Sequence, residues 1–284
     1  MKKNVILAIL VAATAVLFTP VETLALSEEA NPNAATQDLR PEGILSRASE
    51  FLAGLPGFQV SIRCNYDAIQ PDGQRIEFGE LRNIMIQRPN RMSAEVLRSD
   101  GDLDLLLYDG QALTAYKTAD NVYARVEHAG SVDSAIIYLV RDLQIRFPLA
   151  RLLLTSLPVL VEQQAESVSL VEVNQLYDVS AYHLAVRTAD VYFHILDDQC
   201  DKPLPRRVVI TYKNDPGQPQ FRADFFDWDL SPEIAAETFI LTPADGAEEI
   251  LFLAPVRSNV SPAAQKGGKP LPVIRFTGCC RLFV

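Results

Sequence analysis

The chain of 284 residues holds three histidines, His128, His183 and His194. Imidazole exchanges protons near neutral pH and is the commonest metal ligand, so acid–base or metal chemistry would be sought first at these positions. His183 and His194 lie in consecutive alternating segments, YHLAVR and VYFHIL, and can meet across a hairpin with Asp190 or Asp197 nearby. A catalytic metal needs about three protein ligands. Two strand histidines fall short of that, so they read as a half-exposed surface pair and no metal site is assigned. Asp102 and Asp104 are two apart, which places both on one strand face and suits solvated carboxylates. Arg63, Arg82, Arg91 and Arg98 read as solvated strand charges, although an arginine at a cavity mouth can hold a carboxylate or an acidic lipid head group.

Nucleophile and phosphate motifs are missing. There is no G-x-S-x-G elbow, no H-E-x-x-H and no phosphate-cradling loop, since Gly267-Gly268-Lys269 follows no strand. No catalytic residue and no cofactor is assigned, and the chain reads as a non-enzyme. The four cysteines, Cys64, Cys200, Cys279 and Cys280, are too sparse to form a disulfide framework for a chain of this length. A Cys64–Cys200 bridge is one option among the pairings. The adjacent pair Cys279-Cys280 lacks the spacing of a zinc or thioredoxin-type site.

The segments that would position these residues begin with Lys2 and Lys3, an apolar run from Val5 to Phe18, and small residues at Ala25 and Ser27. That is the three-part pattern of a secretory signal peptide over 1–27. Its apolar run is shorter than the roughly 20 residues a membrane-spanning helix needs, so no stable membrane span is expected after cleavage. A net charge of −10 repels phosphate backbones and excludes nucleic acid as a partner.

A polar leader over 28–40 gives way to an amphipathic helix opened by Pro41, with Ile44, Leu45, Ala48, Phe51 and Leu52 at helical spacing. Residues 58–126 then alternate with period two between turns. The apolar positions are Val60, Ile62, Cys64 and Tyr66; Ile76 and Phe78; Met92, Ala94 and Val96; Leu103, Leu105 and Leu107; Leu113 and Ala115. Asp100-Gly101 and Asp109-Gly110 are hairpin signals, and the whole stretch predicts an antiparallel meander. Ser131 can cap a helix with a stripe from Val132 to Leu143, and Phe147-Pro148 predicts a second helix through Leu153. Beyond Pro158 strands are predicted at 167–173, 179–187, 190–196, 206–213 and 219–228. A helix start at Ser231-Pro232-Glu233 and a last strand near Phe239 to Leu241 follow. The corner CDKPLPRR before strand 206–213 reads as a connection, with Lys202, Arg206 and Arg207 facing water.

A series of phrases resembles the predicted periplasmic proteins of the domain of unknown function 2092 family: ILSRASEFLAGLPGF, QRPNRM, LLYDGQALTAY, NVYARV, YHLAVR, DKPLPRRVVITYKNDPGQPQFRADFFDW and FILTPADGA. They run in order from about 42 to 250. The sequence departs from the family pattern at Asp190 to Phe193 and at Arg151. The resemblance implies a fold similar to LolA, LolB and RseB: α+β, a large curved antiparallel sheet, an unclosed β-barrel, with helices covering its concave face. It also implies that an acyl chain or apolar segment is held in that concavity.

The expected organisation is a signal peptide over 1–27, a leader over 28–40, one domain over 41–255 and a loose tail over 256–284. The inward residues that would line the sheet are Val60, Ile62, Tyr66, Ile76, Phe78, Val208, Ile210, Tyr212, Phe221 and Phe225. Most are ordinary core by type, and they line a cavity only where the helices stand off the sheet. The expected partner is an apolar or acylated ligand, or an envelope protein, in the periplasm.

Overall fold

Alternation and turn chemistry build most of the molecule. The structure, a computed structural model, describes residues 40–145 and 147–252. The segments read as signal peptide, leader and C-terminal tail lie outside the described residues, apart from their borders. Helix α1 spans Pro41–Gly54. Pro41 at its first position costs nothing, because that N–H has no intrahelical partner. Ile44, Leu45, Ala48 and Leu52 are buried along one stripe.

The meander follows as β1 (Gly57–Ile69), β2 (Arg75–Gln87), β3 (Arg91–Arg98), β4 (Leu103–Tyr108), β5 (Ala112–Lys117) and β6 (Val122–Glu127). Its turns are held by aspartates that bond the backbone two or three residues on. Asp100 Oδ1 accepts from the Asp102 amide at 3.1 Å, and Asp109 Oδ1 accepts from the Gln111 and Ala112 amides, each at 2.8 Å. Gly110 has φ +94°, and a Cβ there would stand 2.4 Å from the Asn90 side chain, so this turn admits only glycine without rearrangement.

Helix α2, Val132–Arg141, is capped by Ser131, whose Oγ accepts from the Ser134 amide at 3.2 Å. Val132, Ala135, Ile136 and Leu139 are its buried stripe. Helix α3 is Leu157–Gln164. The second half of the sheet is β7 (Ser167–Asn174), β8 (Ala181–Arg187), β9 (Val191–Asp198), β10 (Pro205–Tyr212) and β11 (Gln220–Asp229). A short β12 follows at Glu248–Glu249. The twelve strands form one sheet in the order β12-β6-β5-β4-β3-β2-β1-β11-β10-β9-β8-β7. All pairings are antiparallel except β12 with β6. Among the described residues the order does not close on itself, and β7 is an edge. Side chains of α1, α2 and the segment between α2 and α3 join the inward residues of the sheet in one apolar core. The α+β class and the unclosed, helix-covered sheet are as expected from the sequence.

Four local expectations are corrected. The stretch from Phe147 makes only a single 3-10 turn, Ala150–Leu153, after Leu149 takes a left-handed conformation at φ 69°. Pro158 opens α3 at its first turn instead of ending the helical region. Ser231 starts no helix, because its amide is taken by Asp229 Oδ1 at 2.9 Å in a local turn. Phe239 ends a 3-10 turn, Ala236–Phe239, and is buried with the Arg91 guanidinium 5.8 Å from its ring centroid, so it plugs the core and does not pair as a strand. Cys64 is buried on β1 and Cys200 is exposed in the β9–β10 corner. Both are free thiols, which corrects the bridge considered above. Burial pushes the Cys64 thiol up to about 12, leaving it an inert neutral group.

The CDKPLPRR corner is more than a solvated connection. Lys202 is exposed, but Arg206 Nε donates to Asp198 Oδ1 at 2.7 Å, with Asp198 buried, and Arg207 Nη1 meets Asp224 Oδ1 at 2.5 Å. Next to this pair, Asp197 is fully buried between Tyr182 and Pro205 on the neighbouring strands, and neither of its oxygens has a hydrogen-bond partner among the described residues.

Just past the end of β2, Arg88 ties the helical cover to the sheet. Its Nε donates to Leu55 O at 3.1 Å, Nη1 to Asp133 Oδ1 at 3.1 Å and Nη2 to Leu153 O at 2.7 Å. Asp133 Oδ2 in turn accepts from the Thr155 amide and hydroxyl.

Two predictions follow from these groups. Arg88→Ala is expected to cost about 2–4 kcal/mol in chemical denaturation, because it strands a carboxylate and two carbonyls. Arg88→Lys should restore only part of that, since one ammonium cannot reach three separate acceptors; a loss below about 1 kcal/mol for Arg88→Ala would remove its pinning role. Burial, and secondarily Asp198, push the Asp197 carboxyl up to about 7 from 3.8. The folded state therefore holds a proton that the unfolded chain releases, and stability should fall as pH rises between about 4 and 7. Asp197→Asn should flatten that slope and be the more stable protein at pH 8 by on the order of 2 kcal/mol; a parallel pH–stability curve for the variant would refute this.

Candidate functional site

Cross-strand register sorts the inner face into rows. Phe58 and Val60 on β1 stand opposite Ile86 and Ile84 on β2, which continue to Met92 and Ala94 on β3 and Tyr108 and Leu106 on β4. All of these are buried under the helices. The next row runs Ile62, Arg82, Val96, Asp104, Lys117, Val122 from β1 to β6. The row after it runs Cys64, Glu80, Arg98. Beyond that come Tyr66 with Phe78, and then Ala68 with Ile76.

The two middle rows form a charged belt across an otherwise apolar face. Arg82 and Glu80 are each 7% exposed in their side chains, with Arg82 Nη2 at 2.5 Å from Glu80 Oε1. The Arg82 guanidinium also lies 5.8 Å from the centroid of Phe147, in the segment after α2. Arg98 bonds Asp104, whose side chain is 2% exposed, and Lys117 Nζ bonds Asp120 at 2.7 Å. Burial pushes the Asp104 carboxyl above its ordinary range, and Arg98 and Lys117 pull the other way.

Arg82, Arg98 and Asp104 were read from the sequence as solvated strand charges. The structure corrects that: they lie on the inner face of the sheet, largely out of water, and survive there by pairing. Asp102 lies before β4 begins, so it shares no strand face with Asp104. Arg63 is exposed and Arg91 is half-buried. The inward parity of β4 is also the reverse of the Leu103, Leu105, Leu107 pattern, because Ala94 of β3 pairs with Leu106. In LDLLLY the apolar run is continuous and periodicity cannot choose. A parity signal for the belt existed on β2: Ile76, Phe78, Glu80, Arg82, Ile84 and Ile86 are all two apart and must share one face.

The ten lining candidates divide by burial. Val60, Ile62, Val208, Tyr212, Phe221 and Phe225 are buried in the packed part of the face. Tyr66 and Ile210 are half-buried, and Phe78 and Ile76 are 41% and 36% exposed. Tyr66 and Phe78 stack with centroids 5.9 Å apart. The uncovered apolar part of the inner face is therefore at the β1–β2 hairpin end, past the belt. A second uncovered apolar stretch is the edge strand β7, where Leu170, Val171 and Val173 are exposed.

On the opposite face of the sheet, His183 Nε2 and His194 Nδ1 are 3.0 Å apart, and Glu172 Oε1 is 3.5 Å from His183 Nδ1. The hairpin does bring the two histidines together, while Asp197 makes no bond to either. Burial and the neighbouring His183 lower the His194 pKa. Among the described residues no group of three or more His, Cys, Asp or Glu is placed to hold a metal ion. Among the same residues no helix is long and apolar enough to cross a membrane.

No curated protein matches the sequence. Among solved structures, a LolA superfamily protein from Nitrosomonas europaea aligns at 13% identity over 71% of this chain and 97% of its own, with a TM-score of 0.33. LprF from Mycobacterium bovis aligns at 11% over 69% and 95%, with a TM-score of 0.43. MucB in complex with MucA(peri) aligns at 16% over 70% of this chain and 58% of its own, with a TM-score of 0.38. Likeness at this level says nothing of what is bound. At the level of sequence the assignment is direct: through residues 42–253 the chain belongs to the DUF2092 family of predicted periplasmic proteins.

Proposed function

We propose that the protein is a non-catalytic periplasmic binding protein, exported by the signal peptide over 1–27, that holds an apolar or acylated ligand against the uncovered end of its inner face. The observation that carries this is the placement of Tyr66, Ile76 and Phe78. They point to the inner side of the sheet; Ile76 and Phe78 are exposed there, and Tyr66, packed against the edge of the core, stacks on Phe78. Large apolar side chains left open on a concave, helix-flanked face mark a binding surface. Each contributes on the order of 1–2 kcal/mol when a ligand covers it. The neighbouring belt is already saturated by its own ion pairs, Arg82 with Glu80 and Arg98 with Asp104. A polar head group gains little by displacing those pairs, so the ligand's apolar part is what binds and its head stays toward the open rim.

A second use is favoured by one observation of its own. Strand β7 ends the sheet, and its exposed Leu170, Val171 and Val173 offer an unpaired backbone edge with apolar side chains. An envelope protein could add a strand there. In-cell crosslinking from β7 would then trap one defined partner, and lipid extraction would find nothing bound.

The test of the first function is native mass spectrometry of protein taken from its own periplasm, with uptake of a fluorescent fatty acid measured alongside. Bound apolar mass and saturable uptake are expected. Phe78→Asp should weaken uptake about tenfold, equivalent to about 1.4 kcal/mol, while shifting stability by no more than about 0.5 kcal/mol because Phe78 is exposed. Bare protein without uptake would sink the proposal.

A further inference from the structure

The paired histidines lie on the face of the sheet away from the helices and take no part in the inner surface. Their geometry is specific. His183 of β8 stands opposite Glu172 of β7, and His194 of β9 stands opposite Ala185 of β8, so the two imidazoles are diagonal neighbours on one face. Ala185 contributes only a methyl group beside them, and Val209 of β10 is the other cross-strand neighbour of His194. The ring centroids are 5.3 Å apart and the planes are tilted by 45°, so the rings do not stack flat; they present one nitrogen each to the other at 3.0 Å. Which of the two nitrogens donates across that contact depends on the tautomers.

We infer that His183 Nε2 and His194 Nδ1 form a two-nitrogen chelate for a borderline divalent cation of the Zn²⁺ class, with Glu172 as the outer carboxylate that orients His183. Two imidazole nitrogens bound to one zinc at about 2.05 Å in a tetrahedral arrangement stand about 3.3 Å apart. The present separation needs to open by only a few tenths of an ångström. Glu172 sits on the His183 Nδ1 side, the position from which a carboxylate fixes the tautomer and leaves Nε2 as the lone-pair donor. Among the described residues no third side chain converges, so water or a group from a bound partner completes the coordination. Imidazole donors select Zn²⁺, Ni²⁺ or Cu²⁺ over Mg²⁺ and Ca²⁺, which take oxygen ligands.

The experiment uses the tag-free protein with ¹⁵N-labelled histidine and Zn²⁺ added stepwise in a non-chelating buffer at pH 7.5. One equivalent of zinc should shift the ring nitrogens of His183 and His194 and leave His128 unmoved. This readout is blind to zinc held by thiols or carboxylates elsewhere. His183→Ala and His194→Ala should each weaken the imidazole-detected site at least tenfold, and Glu172→Gln should weaken it about tenfold or more with both rings still responding. Mg²⁺ at the same concentration should shift neither ring. The inference is overturned if zinc moves neither imidazole, or if either alanine variant leaves the remaining ring responding with unchanged affinity. Unchanged zinc affinity in Glu172→Gln would overturn the role given to the carboxylate.

Discussion

The helical cover hangs on one guanidinium. Arg88 leaves the end of β2 and donates to Leu55 O just past α1, to Asp133 in the first turn of α2 and to Leu153 O at the end of the 3-10 turn. Three chain segments far apart in sequence thereby share one fixed point on the sheet. A planar fork with five donors serves this role where an ammonium does not. Apolar burial holds the helices against the sheet without direction, and the charged, directional bonds at Arg88 choose where along the strands they sit. Because this anchor lies at one end of β2, the helices cover that half of the inner face, and the β1–β2 hairpin end stays open.

The belt of Glu80, Arg82, Arg98, Asp104 and Lys117 lies between the covered and open halves. Buried ion pairs are no bargain for stability, since desolvation offsets most of the Coulomb attraction. Their value here is positional. On the β2 side, Arg82 beside Phe147 and the buried Asp104 interrupt the apolar packing, so Ile76 and Phe78 farther along β2 are exposed, while Phe221, opposite Tyr66 on β11, stays within the core. A sheet with Leu or Val at these five places would extend its core or collapse onto the helices. Along β2 the charges separate the packed rows from the exposed Ile76 and Phe78.

The fold was largely legible because its signals are local. Period-two alternation, Asp-Gly turns, the Ser131 cap and Pro41 each act within a few residues, and each delivered the element expected of it. What failed depended on partners. LDLLLY has no period, so the parity of β4 waits on its pairing with β3. Pro158 is compatible with ending one helix or opening another, and only the left-handed Leu149 and the 3-10 turn decide between them. Arg206 looked solvated because nothing in CDKPLPRR announces that Asp198 is buried beside it. The inward charges were within reach: strict alternation from Ile76 to Ile86 already commits Glu80 and Arg82 to the buried side. The expectation that charge means solvent overrode the parity. Of the ten lining candidates, the same alternation placed all on one face but carried no information on where the helices stop, which is a property of Arg88 and not of the strands.

The edge strand joins the two faces of the sheet. Between Leu170 and Glu172 the β7–β8 register shifts by one residue at Val171. With regular pairing, Leu170 and Glu172 would share a face, and Val173 would point to the other. The bulge instead lets Leu170 and Val173 both pair with inward residues, Leu184 and Tyr182, while Glu172 turns outward onto His183. Bulges commonly re-aim a side chain at a functional site, at the cost of a locally broken ladder. As an edge strand, β7 is held through β8 alone on its paired side, so the same bulge that aims Glu172 also interrupts the flat backbone edge a pairing strand would need. A partner adding to β7 would have to accommodate or remove it, and in doing so would move the carboxylate that orients His183. The apolar edge and the histidine pair, on opposite faces, are thus linked through a single irregular residue.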